Sequence, residues 1–345
     1  MNKLQKILET DAILINKKVD FRELLGKNII ITGASGLIGI NLLMSLREFC
    51  NKEGKQNPPN VVAIFHHDIP KYLTEILSFK SLIIKTGDVV DENFINTLPE
   101  SDYIIHSAGY AQPGKFMEDE VKTIAVNTVA TISILKKLKT KGKFLFISSS
   151  EIYSGLPNPP YKEDRIGTTS TTHPRACYIE GKRCGEAICY ANYKKGINAK
   201  SVRVSLAYGP GTRAGDTRAL NSFIEKGLSG EIEMMDRGEA LRTYCYIADV
   251  VEIIWDVLLF GKKPIYNVGG FSKVTIASLA KKIGKIMNVK VILPKDGKKL
   301  FGAPENVCLD MSNVATEFKK TKKDYRDIDS GLANTIAWQK EISKF

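Results

Sequence analysis

The residues best suited to do chemistry in this 345-residue chain are a tyrosine and a lysine four positions apart, Tyr178 and Lys182. Residues 176–190 have a helical pattern, so both side chains are expected on one face of a helix. A free phenol has a pKa near about 10 and is a poor base at neutral pH. A neighbouring ammonium stabilises the phenolate and lowers that pKa. The pair predicts a tyrosine that removes a proton from a hydroxyl group.

A serine-rich segment comes shortly before this pair, directly after a predicted buried strand at 144–147. It reads Ser148-Ser149-Ser150-Glu151. Ligands of open α/β sheets bind at the carboxyl ends of the strands. A serine there can donate a hydrogen bond to the hydroxyl that the tyrosine deprotonates, and Glu151 is available as a base or to orient a water. The structural alternative is that these side chains cap the following turn. We predict catalytic roles for Ser149, Ser150 and Glu151.

A glycine-rich loop lies between the first predicted strand, 28–32, and an apolar helical stretch. Three glycines at a three-residue spacing permit a tight turn, a close approach of backbone to a pyrophosphate, and close helix–strand packing. The following helix directs its free N–H groups at the phosphates. The loop predicts a dinucleotide site formed by Gly33, Ser35, Gly36, Leu37, Ile38 and Gly39.

The adenosine side of this predicted site is less regular. Asp88 and Val89 follow the third strand and Ala108 follows the fourth, where they are expected to line the cofactor. Dinucleotide folds usually place an acidic residue at the end of the second strand to bind the ribose. Here that acid is absent or delayed to Asp68, and no arginine stands nearby in the sequence to receive a 2′-phosphate. NAD is favoured over NADP.

Short apolar strands alternate with helical segments, including one helix predicted over 121–138. This order predicts an α/β fold with a doubly wound parallel sheet, Rossmann-like, and a smaller C-terminal α/β cap that binds substrate. We expect a helical extension at 1–26 that packs on the outside. The dinucleotide-binding domain is expected at 27–204, with 243–270 returning to it, and the cap at 205–242 and 271–345.

Composition excludes several other classes of protein. The formal net charge is +12, but no nucleic-acid module accompanies it, so we expect no nucleic-acid partner. No apolar stretch reaches the ~20 residues of a membrane span, and the N-terminus lacks a signal peptide. The four histidines and six cysteines show no metal-ligand spacing. These features predict a cytoplasmic protein with no membrane partner and no metal.

The glycine loop, the serine-rich strand end and the Tyr178/Lys182 pair resemble the extended short-chain dehydrogenase/reductases that act on nucleotide sugars. The resemblance runs from about Gly26 to the C-terminus. Within that family, segments 149–153 and 174–183 are similar to those of the UDP-glucuronate decarboxylases. Two departures are Leu206, where the family commonly has asparagine, and the loop at 209–216.

The resemblance implies an NAD-dependent cycle in which a UDP-sugar is oxidised at carbon 4, loses carbon dioxide and is reduced again. It also implies substrate contacts from Ser150, Tyr178, Arg218 and Arg242, cofactor contacts from Tyr178 and Lys182, and a homodimer. Related 4,6-dehydratases have aspartate at the position of Ser150, so decarboxylation is favoured. A 4,6-dehydratase or a 4-epimerase remains the alternative, and a non-catalytic dinucleotide sensor is a remote one.

Overall fold

The computed structural model describes residues 3–67, 70–294 and 306–344. The strands within these ranges are β1 (Asn28–Thr32), β2 (Asn60–Phe65), β3 (Leu82–Thr86), β4 (Ser101–His106), β5 (Leu138–Ser149), β6 (Asn198–Val204), β7 (Ala207–Tyr208), β8 (Glu231–Glu233), β9 (Leu241–Tyr246), β10 (Ile265–Val268), β11 (Ser272–Thr275), β12 (Lys290–Ile292) and β13 (Asn306–Val307).

The helices in the same ranges lie mostly between these strands. They are α1 (Lys3–Lys18), α2 (Leu37–Lys52), α3 (Lys71–Leu77), α4 (Glu92–Asn96), α5 (Pro113–Glu118), α6 (Glu120–Asn127), α7 (Val129–Leu135), α8 (Ala176–Lys194), α9 (Ala219–Leu228), α10 (Ile247–Phe260), α11 (Ile276–Met287), α12 (Ser312–Glu317) and α13 (Ile328–Ile342).

The predicted doubly wound sheet is confirmed. Within the described ranges, parallel strands form a seven-stranded sheet in the order β3-β2-β1-β4-β5-β6-β10. The chain starts in the middle, moves to one edge and then crosses to the other, as in the Rossmann fold. Ile29, Ile30 and Ile31 of β1 are fully buried, because helices cover both faces of the sheet. The carboxyl ends of the strands therefore meet along one edge.

The prediction of one helix over 121–138 is wrong. Two shorter helices, α6 and α7, occupy this region, and Leu138 already begins β5. The side chain of Asp119 accepts a hydrogen bond from the backbone N–H of Lys122 and so caps the N-terminus of α6. After α7 the chain turns back to the sheet, where the N–H of Ser101 bonds the carbonyl of Lys137 at 2.8 Å.

The second half of the chain contributes to two layers. β9 lies at the centre of a smaller sheet with β7, β11 and β13, and β8 pairs with β12. The intervening helix α10 is almost wholly buried, and β10 joins the edge of the large sheet beside β6. The buried helix α10 thereby connects β9 of the smaller sheet to β10 of the large one.

The N-terminal helix α1 is part of the same core rather than an outer layer. Its inner face, which includes Leu4 and Leu8, is fully buried and packs with α2, α10 and α13. Asp11 on that face accepts a hydrogen bond of 2.6 Å from the hydroxyl of Tyr246 at the end of β9. In the described part of the chain, none of the helices combines the length and apolar character needed to cross a bilayer.

Replacing Leu8 with alanine tests the structural role of α1. Leu8→Ala is expected to lower the free energy of unfolding by about 2–5 kcal/mol, because it leaves a cavity in the core. Lys6→Ala, on the exposed face of the same helix, is expected to change it by less than about 0.5 kcal/mol. Denaturant unfolding measures both. Equal midpoints for the two variants would show that α1 does not contribute to the core.

Candidate active site

Tyr178 and Lys182 lie on one face of α8, against the end of β5. Both are buried, with 7% and 5% of their surface exposed. The Lys182 Nζ donates a hydrogen bond of 2.7 Å to the carbonyl of Ile147 and lies 5.8 Å from the centre of the Tyr178 ring. That ring stacks on Phe116 at 4.7 Å between centroids. The predicted pair is thus held in fixed geometry at the ligand-binding edge of the sheet.

The electrostatics of the pair differ from expectation. Burial lowers the pKa of the Lys182 ammonium to about 7, although the Glu186 carboxylate opposes this. Burial raises the pKa of the Tyr178 phenol above its usual value of about 10. The groups that act to lower the pKa of Tyr178 are the Ser149 hydroxyl and the guanidinium groups of Arg175 and Arg218, rather than Lys182. The sequence predicted that the Lys182 ammonium would lower the pKa of the Tyr178 phenol. Burial of both groups, which disfavours the charged form of each, outweighs that effect.

The predicted serines point in different directions at the end of β5. Ser149 lies beside the Tyr178 phenol, and its Oγ accepts the N–H of Glu151 at 3.2 Å. Ser148 points the other way and donates a 2.5 Å hydrogen bond to Glu186. Ser150 begins the short 3₁₀ turn that carries Glu151. Successive side chains of a strand point to opposite faces, so Ser149 faces Tyr178 while Ser148 faces Glu186 on the other side.

Glu151 is engaged by an arginine that sequence reasoning did not select. The Glu151 carboxylate lies 3.1 Å from Nη1 of Arg175, whose guanidinium lies 5.6 Å from the centre of the Phe116 ring. The Nε of Arg175 is buried, and among the described residues it has no hydrogen-bond partner. Arg175 stands within segment 174–183, which carries the family resemblance, so that motif was the available signal.

Arg218 and Arg242 reach the same region from the second half of the chain. Arg218 precedes α9 and binds both carboxylate oxygens of Asp216, with Nη2–Oδ2 at 2.5 Å. Arg242 lies on β9 and donates to the carbonyl of Leu241 at 2.9 Å. Burial lowers the pKa of Arg242, Glu151 raises it and Arg175 lowers it. The three arginines therefore share one electrostatic environment with Glu151.

The glycine loop has the shape that a bound dinucleotide requires. Gly33 has φ of +63°, and a Cβ there would lie 2.5 Å from the carbonyl oxygen of Ser107. A Cβ on Gly39 would lie 2.4 Å from the carbonyl oxygen of Gly33. No described side chain caps the N-terminus of α2, so the N–H groups of Leu37 and Ile38 are available. Ser35 and Gly36 complete this turn.

Two polar groups lie close to Gly109, next to the Tyr178/Lys182 pair. A Cβ on Gly109 would lie 3.5 Å from the Lys182 Nζ and 3.8 Å from the Asn127 Oδ1. Asn127 Oδ1 is buried and, within the described ranges, has no hydrogen-bond partner. An ammonium has three N–H groups, and the described residues accept from one of those of Lys182. These donors and this acceptor fit the ribose hydroxyls of a dinucleotide.

The remaining predicted cofactor residues lie along the same edge. Asp88 forms an ion pair with Lys122 and accepts the N–H of Val90 at 2.9 Å. The side chain of Val89 is buried in the core, which leaves its backbone as the accessible part. The N–H of Ala108 donates to Thr32 Oγ1 at 3.1 Å. The delayed acid, Asp68, falls outside the described residues.

Leu206, which stands where the family commonly has asparagine, adopts an unusual backbone conformation. Its φ is +40°, a left-handed value that costs a branched side chain about 1–2 kcal/mol and suits asparagine better. The Leu206 side chain packs against the main core. Leu206 thus has a left-handed backbone conformation of the kind that asparagine adopts readily, but it has no polar side chain to offer a ligand.

His106 and Cys177 form hydrogen bonds within the fold. His106 is fully buried between Thr32 Oγ1, at 2.7 Å, and the carbonyl of Val126, at 3.0 Å, and burial lowers its pKa to about 4. Cys177, next to Tyr178, donates to the carbonyl of Phe116. Among the described residues, no group of three or more potential ligands is placed to hold a metal ion.

Comparison with known proteins agrees with this geometry. Residues 29–269 match the model of the NAD dependent epimerase/dehydratase family. UDP-glucuronic acid decarboxylase 1 of Xenopus tropicalis is 29% identical over 264 residues, which are 76% of this chain and 60% of that protein. The dTDP-4-dehydro-6-deoxy-D-allose reductase of a Streptomyces species is 26% identical over 325 residues, covering 91% of this chain and 96% of that one.

A solved structure has the same fold over almost the whole chain. The epimerase Mth375 of Methanothermobacter thermautotrophicus superposes with a TM-score of 0.79 at 17% identity, and the match covers 96% of each chain. The family model matches most of the chain and includes the glycine loop, the end of β5 and the Tyr178/Lys182 pair. The chain therefore belongs to the NAD dependent epimerase/dehydratase family, and its cofactor is NAD.

Proposed function

We propose that this chain is a nucleotide-sugar decarboxylase that acts on UDP-glucuronate. The observation that carries the proposal is the pairing of Glu151 with Arg175 beside Ser150. A 4,6-dehydratase needs an acid to protonate the departing hydroxyl. Ser150 is a far weaker acid than aspartate, and the Glu151 carboxylate is engaged in an ion pair with Arg175. The similarity to UDP-glucuronic acid decarboxylases supports the same reaction.

The charge of the site supports an anionic substrate. Arg175, Arg218 and Arg242 lie around a site whose carboxylates, Glu151 and Asp216, leave an excess of positive charge. A guanidinium binds carboxylate or phosphate oxygens with two parallel hydrogen bonds. A uronic acid linked to a nucleoside diphosphate carries both kinds of group. Ser150, Arg218 and Arg242 are proposed to contact this substrate.

The chain's own residues can carry the proton transfers of the cycle. Bound NAD would supply the acceptor and later the donor of hydride, and the positive charge of its oxidised nicotinamide ring would lower the pKa of the Tyr178 phenol. Tyr178 takes the proton of the sugar 4-hydroxyl, with Ser149 hydrogen-bonded to the same oxygen and Lys182 holding the ribose. A ketone at carbon 4 makes the carboxylate a β-keto acid, which loses carbon dioxide and leaves an enolate. Tyr178 and Ser149 stabilise the enolate oxygen. Glu151 orients a water that gives a proton to carbon 5, and the hydroxide left behind takes a proton from the solvent. Tyr178 finally returns its proton to the oxygen at carbon 4.

Products from a panel of nucleotide sugars test this reaction. With UDP-glucuronate we expect a UDP-pentose lighter by one carbon dioxide, which in deuterated water carries one deuterium at carbon 5. With UDP-glucose we expect no product lighter by one water and no epimer. Mass spectrometry and NMR distinguish these results. A 4-keto-6-deoxy sugar or an epimerised sugar as the main product would replace decarboxylation with one of the alternative reactions.

Removal of the phenolic hydroxyl tests the assigned base. Tyr178→Phe is expected to lower kcat by about 10²–10⁴-fold, the usual contribution of a general base. NAD affinity should change by less than about tenfold, because one neutral hydrogen bond contributes about 0.5–1.5 kcal/mol. Tyr190→Phe, at an exposed position of α8, serves as the matched control. Wild-type turnover by Tyr178→Phe would exclude this residue as the base.

We also propose a homodimer formed through α5, α6 and α7. These helices expose apolar side chains in a region that covers the sheet, and Val121 is 78% exposed. A second copy of the chain could cover such a patch and keep the ligand edge open. The patch consists of Met117, Val121, Ile124, Val129 and Ile132.

A carboxylate placed in this patch should dissociate the dimer. Val121→Glu is expected to weaken self-association by about thirtyfold or more, because burial of an unpaired charge costs at least about 2 kcal/mol. Ile83→Glu, on an exposed position of β3, is the control and should leave the dimer intact. Light scattering after size exclusion gives the molar mass. A monomeric wild-type protein at micromolar concentration would contradict the proposal.

Two further expectations stay proposals. The cap that binds the nucleotide sugar is proposed to consist of segments 205–242 and 271–345. The first of these segments carries Arg218 and the loop at 209–216. The cytoplasmic location expected from the sequence likewise remains a prediction.

A further inference from the structure

The loop at 209–216, which departs from the family pattern, is fixed over the first turns of α2. Asn41 of α2 donates from Nδ2 to the carbonyl of Pro210 at 2.9 Å. Trp338 of α13 donates from Nε1 to the carbonyl of Thr212 at 2.7 Å. The Thr212 hydroxyl closes the turn by donating to the carbonyl of Gly209 at 2.9 Å. Asn41, Thr212 and Trp338 are all buried, so the backbone before Arg213 is held in place.

Arg213 extends from this loop to the glycine loop. Its Nε donates a hydrogen bond of 3.0 Å to the carbonyl of Ser35, between Gly33 and Gly36. Among the residues that the structure describes, none accepts a hydrogen bond from either terminal Nη group of Arg213, and none forms an ion pair with it. Arg213 is exposed to solvent as a residue. Partial desolvation of its guanidinium lowers its pKa, and the Tyr72 hydroxyl of α3 opposes this shift. The guanidinium is therefore oriented through Nε while its two outer nitrogens remain available.

The position of Arg213 indicates what these nitrogens bind. Ser35 precedes the N-terminus of α2, where the fold holds the pyrophosphate of its cofactor. Tyr72 lies on α3, which follows the end of β2, where the adenosine ribose of a dinucleotide is bound. Arg213 thus lies between the pyrophosphate and ribose regions. A planar guanidinium with two free terminal NH₂ groups matches phosphate oxygens.

We propose that Arg213 binds a phosphate group of the dinucleotide through its two Nη nitrogens. Two phosphates of such ligands could meet it: the pyrophosphate, which every dinucleotide cofactor has, and the 2′-phosphate, which distinguishes NADP from NAD. Sequence reasoning found no arginine next to β2 because Arg213 is distant along the chain. The fold brings it to the glycine loop, where it contacts Ser35, and near Tyr72 of the helix that follows β2.

Titration of Arg213→Gln with NAD and with NADP, without any sugar, tests the proposal. A charge-assisted pair of hydrogen bonds predicts an affinity loss of about tenfold to a hundredfold. An equal loss for both dinucleotides assigns Arg213 to the pyrophosphate, and a loss for NADP alone assigns it to the 2′-phosphate. Arg213→Lys, which keeps the charge and loses the planar fork, should have intermediate affinity.

Arg22→Gln provides the matched control, because Arg22 is exposed, pairs with Asp20 and precedes the N-terminal end of β1, whereas the glycine loop follows the carboxyl end of that strand. Calorimetry gives the affinities, and thermal unfolding checks that each variant is folded. Affinities of Arg213→Gln for both dinucleotides equal to those of Arg22→Gln would overturn the proposal. The readout is cofactor binding, so a failure here is distinct from a failure of the proposed decarboxylation.

Discussion

The hydrogen bond from the Lys182 ammonium to the carbonyl of Ile147 is the interaction on which the rest of the site depends. It joins α8 to the end of β5, and the backbones can approach because Gly185 leaves room for Phe146, 2.4 Å from where a Cβ would stand. Burial of an amine has an electrostatic cost, which lowers the pKa of Lys182 to about 7. Burial therefore disfavours the charged form of the group that makes this hydrogen bond.

The opposite side of β5 supports this arrangement with a buried ion pair. Glu186, one helical turn beyond Lys182, accepts hydrogen bonds from Arg203 at 2.8–3.2 Å and from Ser148 at 2.5 Å. Arg203 also donates to the hydroxyl of Tyr153 at 2.7 Å. A buried pair with its hydrogen bonds satisfied favours one geometry, since any displacement leaves a charge unpaired. The end of β5 is thus fixed, and with it the direction in which Ser149 points.

Positive charge at the ligand edge comes from segments far apart in the chain. Arg175 precedes α8, Arg218 precedes α9 and Arg242 lies on β9, while Arg213 approaches the glycine loop from the second half. Asp216 and Glu151 hold two of these guanidinium groups in position. The fixed arginines make the edge suited to phosphate and carboxylate groups without a large reorganisation on binding.

Patterns that lie within one element were readable from the residues alone. The four-residue spacing of Tyr178 and Lys182 places both on one helix face, and the glycine spacing at Gly33, Gly36 and Gly39 marks the turn before α2. Apolar strands alternating with helices predicted the doubly wound sheet, now confirmed. These features depend on local geometry and on the number of residues per turn, so the sequence by itself determined them.

Properties that depend on burial or on distant partners were decided by the tertiary structure. The pKa values of Tyr178 and Lys182 follow from how much water the fold removes, which spacing does not report. The pairing of Glu151 with Arg175 and the contact of Arg213 with Ser35 join segments whose proximity only the packed sheet and loops create. Side-chain type and spacing determined which groups are present; the fold decided which charges meet, because electrostatic interactions depend on distance and solvation in space rather than along the chain.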